Sequence, residues 1–206
     1  MKYILTIFCF MSVMFSATVE SYYKQLKNLS DTQKIALVEF YVYGQDYGYD
    51  EILAAIAWKE SSLCTQKISS GDGTMGSYGC MQVQLYYDLK VKKADMKKKT
   101  INTVKNMHIN NNTYNAHAAI HNLNKWKERH GGNIRHILAS YNAGTKGLRS
   151  PIGAKYAEDI LIRSKAIKKY LQTSGIGEYI DAMLKQARAE RKDTLRYSRT
   201  KVLAMN

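Results

Sequence analysis

Residues 51–61 constrain the fold of this chain most: Ile52, Leu53, Ile56 and Ala57 recur at helical spacing, so the segment is an apolar helix that must be buried. Asp50 is its expected N-cap. The helix runs out through Trp58 and Lys59 into Glu60-Ser61-Ser62, which sets a carboxylate at the end of a core element. Such a glutamate is either a solvated helix-end charge or a carboxyl held among apolar neighbours such as Trp58, Met81 or Tyr141. In the second case burial disfavours the ionised form and raises its pKa.

The rest of the chain continues the helical pattern. Ser30-Asp31-Thr32-Gln33 has the form of a capping box ahead of Ile35, Leu37, Val38, Phe40 and Tyr41. Further helices are expected over residues 80–90, 112–130, 133–142, 154–172 and 176–199, with breaks at Gly131-Gly132, Gly144 and Gly175 to Gly177. Val, Ile and Thr nowhere alternate with polar residues over a convincing stretch, so the expected class is mainly α with few or no strands. A chain of 206 residues with 45% hydrophobic residues supports one packed core with extensions. With 1 Pro and 13 Gly it is neither repetitive nor of low complexity.

Lys2 precedes a nearly uncharged apolar run from Tyr3 to Phe15, followed by the small residues Ser16, Ala17 and Ser21. This reads as a signal peptide over residues 1–21 and as export to a periplasm or the exterior. An uncleaved membrane anchor is the alternative, although the run is short of the roughly 20 residues that span a bilayer. Phe8 before Cys9 disfavours a lipid-modified cysteine. Loss of Cys9 would leave Cys64 and Cys80 on either side of the Gly-rich stretch from Ser69 to Gly79. In an oxidising compartment this pair favours a disulfide that closes a loop of about 15 to 17 residues and contributes about 3 kcal/mol. Two reduced, packed thiols remain the alternative. No Cys or His pair has zinc-ligand spacing, and His117 with His121 supplies only two ligands, so no metal is expected.

The net charge of +14 is high for this length and is compatible with nucleic acid, anionic lipid, or the wall polymers and carboxylate-bearing peptides of an envelope, and charge alone selects none of them. The basic runs Lys92–Lys99 and Arg188–Lys201 read first as solvated faces. No zinc-finger, basic-zipper or glycine-rich recognition motif is present, and the signal segment points out of the cytoplasm, so nucleic acid is set aside.

Three segments stand in order along the chain: Glu60-Ser61, Gly79-Cys80-Met81-Gln82, and Ala139-Ser140-Tyr141-Asn142-Ala143-Gly144. Jointly they resemble the lytic transglycosylase family, with its goose-type-lysozyme-like fold, over roughly residues 35–170. The resemblance implies a lysozyme-like helical domain, placed at 22–174, and peptidoglycan glycan strands as substrate; the last helix, with its Arg and Lys spacing, is read as a basic helical C-terminal extension at 175–206 outside that domain. It implies that Glu60 is the sole catalytic acid and base, cleaving between N-acetylmuramic acid and N-acetylglucosamine to leave a 1,6-anhydro end, without metal or organic cofactor. It assigns Ser61, Gly79, Met81, Gln82, Tyr141, Asn142 and Tyr156 to substrate binding. Gly79 would permit close backbone approach, Met81 would form an apolar wall, and Gln82 would bond an acetamido group or hydroxyl. The Tyr141 hydroxyl is expected near Glu60, while Asn142 would touch the sugar or hold the cleft wall.

The match departs from the family pattern at Ser140, where Ala is usual, and only loosely provides the following helix through Asn115, Ala119, Ile120 and Leu123. A monomer is expected, with an envelope assembly partner as a further possibility. Two other functions fit the same residues. One is a hydrolytic lysozyme of this fold that uses a second carboxylate such as Asp72 or Asp88; the other is a noncatalytic wall-binding protein.

Overall fold

In the computed structural model, described for residues 18–69, 75–93, 96–182 and 185, side-chain caps start several of the helices. Residues 18–27 form α1. The capping box at Ser30 closes, with Gln33 N–H donating to Ser30 Oγ (3.3 Å) and Ser30 N–H donating to Gln33 Oε1 (3.1 Å). It opens α2 (Asp31–Gln45). The chain reverses at Gly44, where a Cβ would lie 2.6 Å from the Tyr49 carbonyl oxygen, and enters α3 (Asp50–Ser61). Tyr49, rather than Asp50, is the N-cap, and it makes no side-chain cap bond. Asp50 lies in the first turn with Glu51, where both complement the helix dipole. Leu37, Val38 and Phe40 of α2 and Leu53, Ala54 and Ile56 of α3 are all fully buried, forming the apolar centre that residues 51–61 require.

Next comes a small hairpin in which β1 (Ser77–Tyr78) pairs antiparallel with β2 (Val83–Gln84). It displaces the helix expected from residue 80: α4 runs only from Leu85 to Val91. Gly79 and Gln82 have positive φ, 80° and 46°, which turns the chain where a helix would have continued it. The helix α5 (Lys98–Asn110) falls in a segment for which no helix was expected. Its N-cap, Lys97, makes no side-chain cap hydrogen bond, and only Val104 and His108 are buried, so it lacks the cap signal and broad apolar stripe that announce a helix.

The helices α6 (Asn112–His130) and α7 (Ile134–Ala143) are capped by the side chains of Asn111 and Asn133. A 3-10 turn (Gly144–Arg149) leads to α8 (Pro151–Thr173), which begins at a proline suited to a first helical position. The mainly helical, lysozyme-like expectation therefore holds, with two short strands among the described residues.

The chain divides into a unit comprising residues 1–170 and a second comprising 171–206. In the second, residues 177–182 are helical; most of the helix expected over 176–199, together with Arg188–Lys201, lies outside the described residues. The apolar N-terminal run, Cys9 and Asp72 also lie outside them, and α1 begins inside the segment read as a signal peptide. Among the described residues no helix is long and apolar enough to cross a membrane.

Candidate active site

The end of α3 is built to stop abruptly. Ser62, Leu63 and Cys64 take successive positive φ values of 50°, 56° and 71°. This uncommon run of left-handed residues is held by Ser61, whose hydroxyl donates to the Ala57 carbonyl (3.0 Å) and accepts the Cys64 N–H (2.9 Å). Cys64 is disulfide-bonded to Cys80, tying the end of α3 to the turn between the strands, with the two Cα atoms 4.5 Å apart. Ser61 is 1% exposed and both of these bonds are internal, which corrects its expected place on the substrate: it closes the turn.

Glu60 emerges half-buried from this fixed end. The hydroxyl of Tyr156, on α8, donates to its Oε1 at 2.6 Å. Tyr156 stacks on Tyr141 of α7, with ring centres 6.5 Å apart and planes at 19°. The Tyr141 hydroxyl donates to the Met81 carbonyl at 3.1 Å. Three distant segments thus converge: Tyr156 holds the carboxyl, and Tyr141 packs behind it with its hydroxyl on the Met81 backbone.

Burial raises the pKa of Glu60, while the Tyr156 hydrogen bond and the Lys59 charge oppose the rise without cancelling it. Burial, together with the Glu60 charge, pushes both tyrosine hydroxyls well above their ordinary range, so both remain donors. Lys59 is itself engaged with Asp159 at 2.7 Å, and Asp159 also bonds Tyr22 of α1 and Arg163. Trp58 packs edge-on against Tyr22 (5.3 Å) and beneath the Arg163 guanidinium (4.5 Å).

The turn beside Glu60 explains its glycine. A Cβ on Gly79 would lie 2.4 Å from both the Asn115 side chain and the His108 carbonyl oxygen. The close approach anticipated at Gly79 is made by Asn115, a residue of this chain, and Gly79 is buried. Met81 is likewise fully buried, so it meets Tyr141 through its backbone carbonyl and offers no open apolar wall.

Gln82 and Asn142 reach a cleft of about 560 Å³, along with Tyr141, Tyr87, Lys125 and Trp126. The Gln82 amide is held by the carbonyls of Gly79 (2.9 Å) and Gln66 (3.2 Å), whereas Asn142 is exposed. Glu60 and Tyr156 are not among the residues that line this cleft; Tyr141 is the link between the two.

Asp88, a candidate second carboxylate, accepts bonds on one oxygen from His108 (3.0 Å), Lys92 (2.8 Å) and Tyr114 (2.8 Å). Burial by itself would raise its pKa, but these donors bring it down to about 2. His117 packs against Tyr47 while His121 lines the cleft, and no group of three His, Cys, Asp or Glu among the described residues suits a metal ion. His108, which neither a cap nor a motif marks in the sequence, is fully buried next to Asn115 and was missed.

A helical, lysozyme-like domain with one poised carboxyl at a sharply ended core helix defines the class of glycan-cleaving transglycosylases and lysozymes. Residues 42–163 match the family described as the transglycosylase SLT domain, and the chain belongs to that family. Members of the family are lytic transglycosylases acting on peptidoglycan. The chain matches no curated protein and no solved structure.

Proposed function

We propose that this protein is a peptidoglycan lytic transglycosylase in which Glu60 serves first as acid and then as base. The observation that carries the proposal is the half-buried Glu60 carboxyl, bonded on Oε1 by Tyr156, with its pKa raised and no carboxylate among the described residues contributing to that shift. Protonated Glu60 donates to the glycosidic oxygen between N-acetylmuramic acid and N-acetylglucosamine. The anion left behind keeps the Tyr156 hydrogen bond and the favourable field of Lys59, and now accepts the proton of the muramic acid C6 hydroxyl. That hydroxyl closes on the anomeric carbon to form the 1,6-anhydro end. One carboxyl suffices because the nucleophile belongs to the substrate, whereas most hydrolases use two. Opposed influences of burial and partners keep Glu60 able to act in both directions.

In this reading Gln82 and Asn142 hold the sugar's acetamido group or hydroxyls from the cleft. Peptidoglycan brings the protein to the envelope, which accords with the apolar N-terminal run and with the Cys64–Cys80 disulfide. Digestion of purified peptidoglycan by the protein and by Glu60→Gln, with products read by mass, tests the proposal. Anhydromuropeptides that vanish in the variant support it. Reducing-end products would reassign the chain to hydrolysis, and no products from the unmodified protein would leave wall binding.

A further inference from the structure

Below the Gly79–Gln82 turn lies a buried polar chain that the reaction above does not use. Asp88, His108 and Asn115 are 6%, 0% and 0% exposed. Two backbone groups, each with a single possible role, fix the Asn115 amide. The Met81 N–H only donates, so the atom 2.7 Å from it is Oδ1; the Tyr78 carbonyl only accepts, so the atom 3.0 Å from it is Nδ2. Nδ2 also lies 2.9 Å from His108 Nδ1 and, as an amide nitrogen, donates there too. Nδ1 must therefore present a lone pair, which leaves Nε2 as the protonated nitrogen of the neutral ring. Nε2 faces Asp88 Oδ2 at 3.0 Å, where it donates. Lys92 and Tyr114 complete the acceptor's surroundings at 2.8 Å each, and the Tyr114 ring packs edge-on to His108.

The chain continues on the other side of the turn. Met81, whose N–H is held by Asn115, offers its carbonyl to Tyr141, and Tyr141 stacks on the tyrosine bonded to Glu60. Gly79 has no space to shift, being packed against both Asn115 and His108. A core built only for stability would fill this volume with apolar side chains, whereas directional bonds select one peptide orientation.

We propose that Asp88 and His108 are positioning residues of the Glu60 site: they orient Asn115, which sets Met81, whose carbonyl anchors Tyr141 beside Tyr156. The catalytic half of this inference rests on the function proposed above; the relay itself does not.

The test uses the full chain with His108→Leu, which removes the acceptor facing Asn115, and His108→Asn, whose side-chain oxygen can restore it. In the unmodified protein, nitrogen NMR of labelled histidine is expected to show His108 protonated on Nε2 only. His108→Leu is expected to lower kcat by about tenfold or more at nearly unchanged KM, since small misplacements of a reacting site are costly. It should also speed exchange of the Met81 amide hydrogen, and His108→Asn should recover most of both properties. An Nδ1-protonated ring, a kcat for His108→Leu within about twofold of normal, or a His108→Asn as impaired as His108→Leu would each overturn the proposal. Should the unmodified protein cleave no glycan, the function reading fails separately. The ring protonation and Met81 exchange then decide the relay, and unchanged exchange in His108→Leu rejects it.

Discussion

Glu60 and Tyr156 form a pair whose consequences are opposite in sign and separately measurable. Because folding raises the Glu60 pKa, its contribution to stability is full below the unfolded carboxyl pKa and declines as pH rises through the folded value. Glu60→Gln escapes that decline, so its melting temperature should exceed that of the parent at about pH 7 and approach it at about pH 4. The same substitution should lower turnover by about 100-fold or more, the usual cost of losing a general acid. Tyr156→Phe removes a hydrogen bond that lowers the Glu60 pKa. The alkaline limb of the rate profile should therefore move to higher pH, and turnover should fall by a factor corresponding to about 1 kcal/mol. A profile that stays in place would separate Tyr156 from the titration of Glu60. Glu60 was legible in the sequence as the candidate acid because it ends an apolar helix and stands ahead of two further family segments. The hydrogen bond from Tyr156 was not: the resemblance set this tyrosine toward the substrate, and its bond to Glu60 joins residues 96 positions apart that only folding brings together.

At the scale of elements, the hairpin turn between β1 and β2 is held by a disulfide on one side and a glycine with no room for a side chain on the other. Gly79→Ala must fit a Cβ where Asn115 and the His108 carbonyl lie at 2.4 Å, with φ at +80°. It should destabilise the fold by about 2 kcal/mol or more, read from denaturant unfolding. Opening Cys64–Cys80 by Cys64→Ser with Cys80→Ser should cost about 3 kcal/mol for a sequence separation of 16. Because the bridge also ties the end of α3 to this turn, turnover should fall beyond the folded fraction lost. An equal fall in both would reduce the disulfide to a stability element. Three substrate assignments change at this scale: Ser61 closes a turn, Gly79 makes space for Asn115, and Met81 acts through its carbonyl. In each case packing sets what the residue touches.

For the whole molecule, the +14 charge should act on encounter with an anionic wall polymer more than on chemistry. Raising salt from about 0.05 M to about 0.5 M is expected to raise KM for peptidoglycan several-fold while leaving kcat nearly unchanged, because screening shortens the reach of exposed charge. A salt-independent KM would remove the basic surface from substrate capture.

What could be read along the chain was whatever neighbours in sequence record: the capping box at Ser30, the apolar face of residues 51–61, the glycine breaks, and the order of three motifs. These pointed to the helical class and the family, and singled out Glu60 as the candidate acid. The helix α5 escaped because it has neither a capping side chain nor a broad apolar stripe. The Asp88–His108–Asn115 relay and the Tyr156–Glu60 bond escaped because a buried polar group is defined by its partner. Those partners come from different helices and meet only when the apolar faces have packed, so the surroundings of Glu60 were left to the folded molecule.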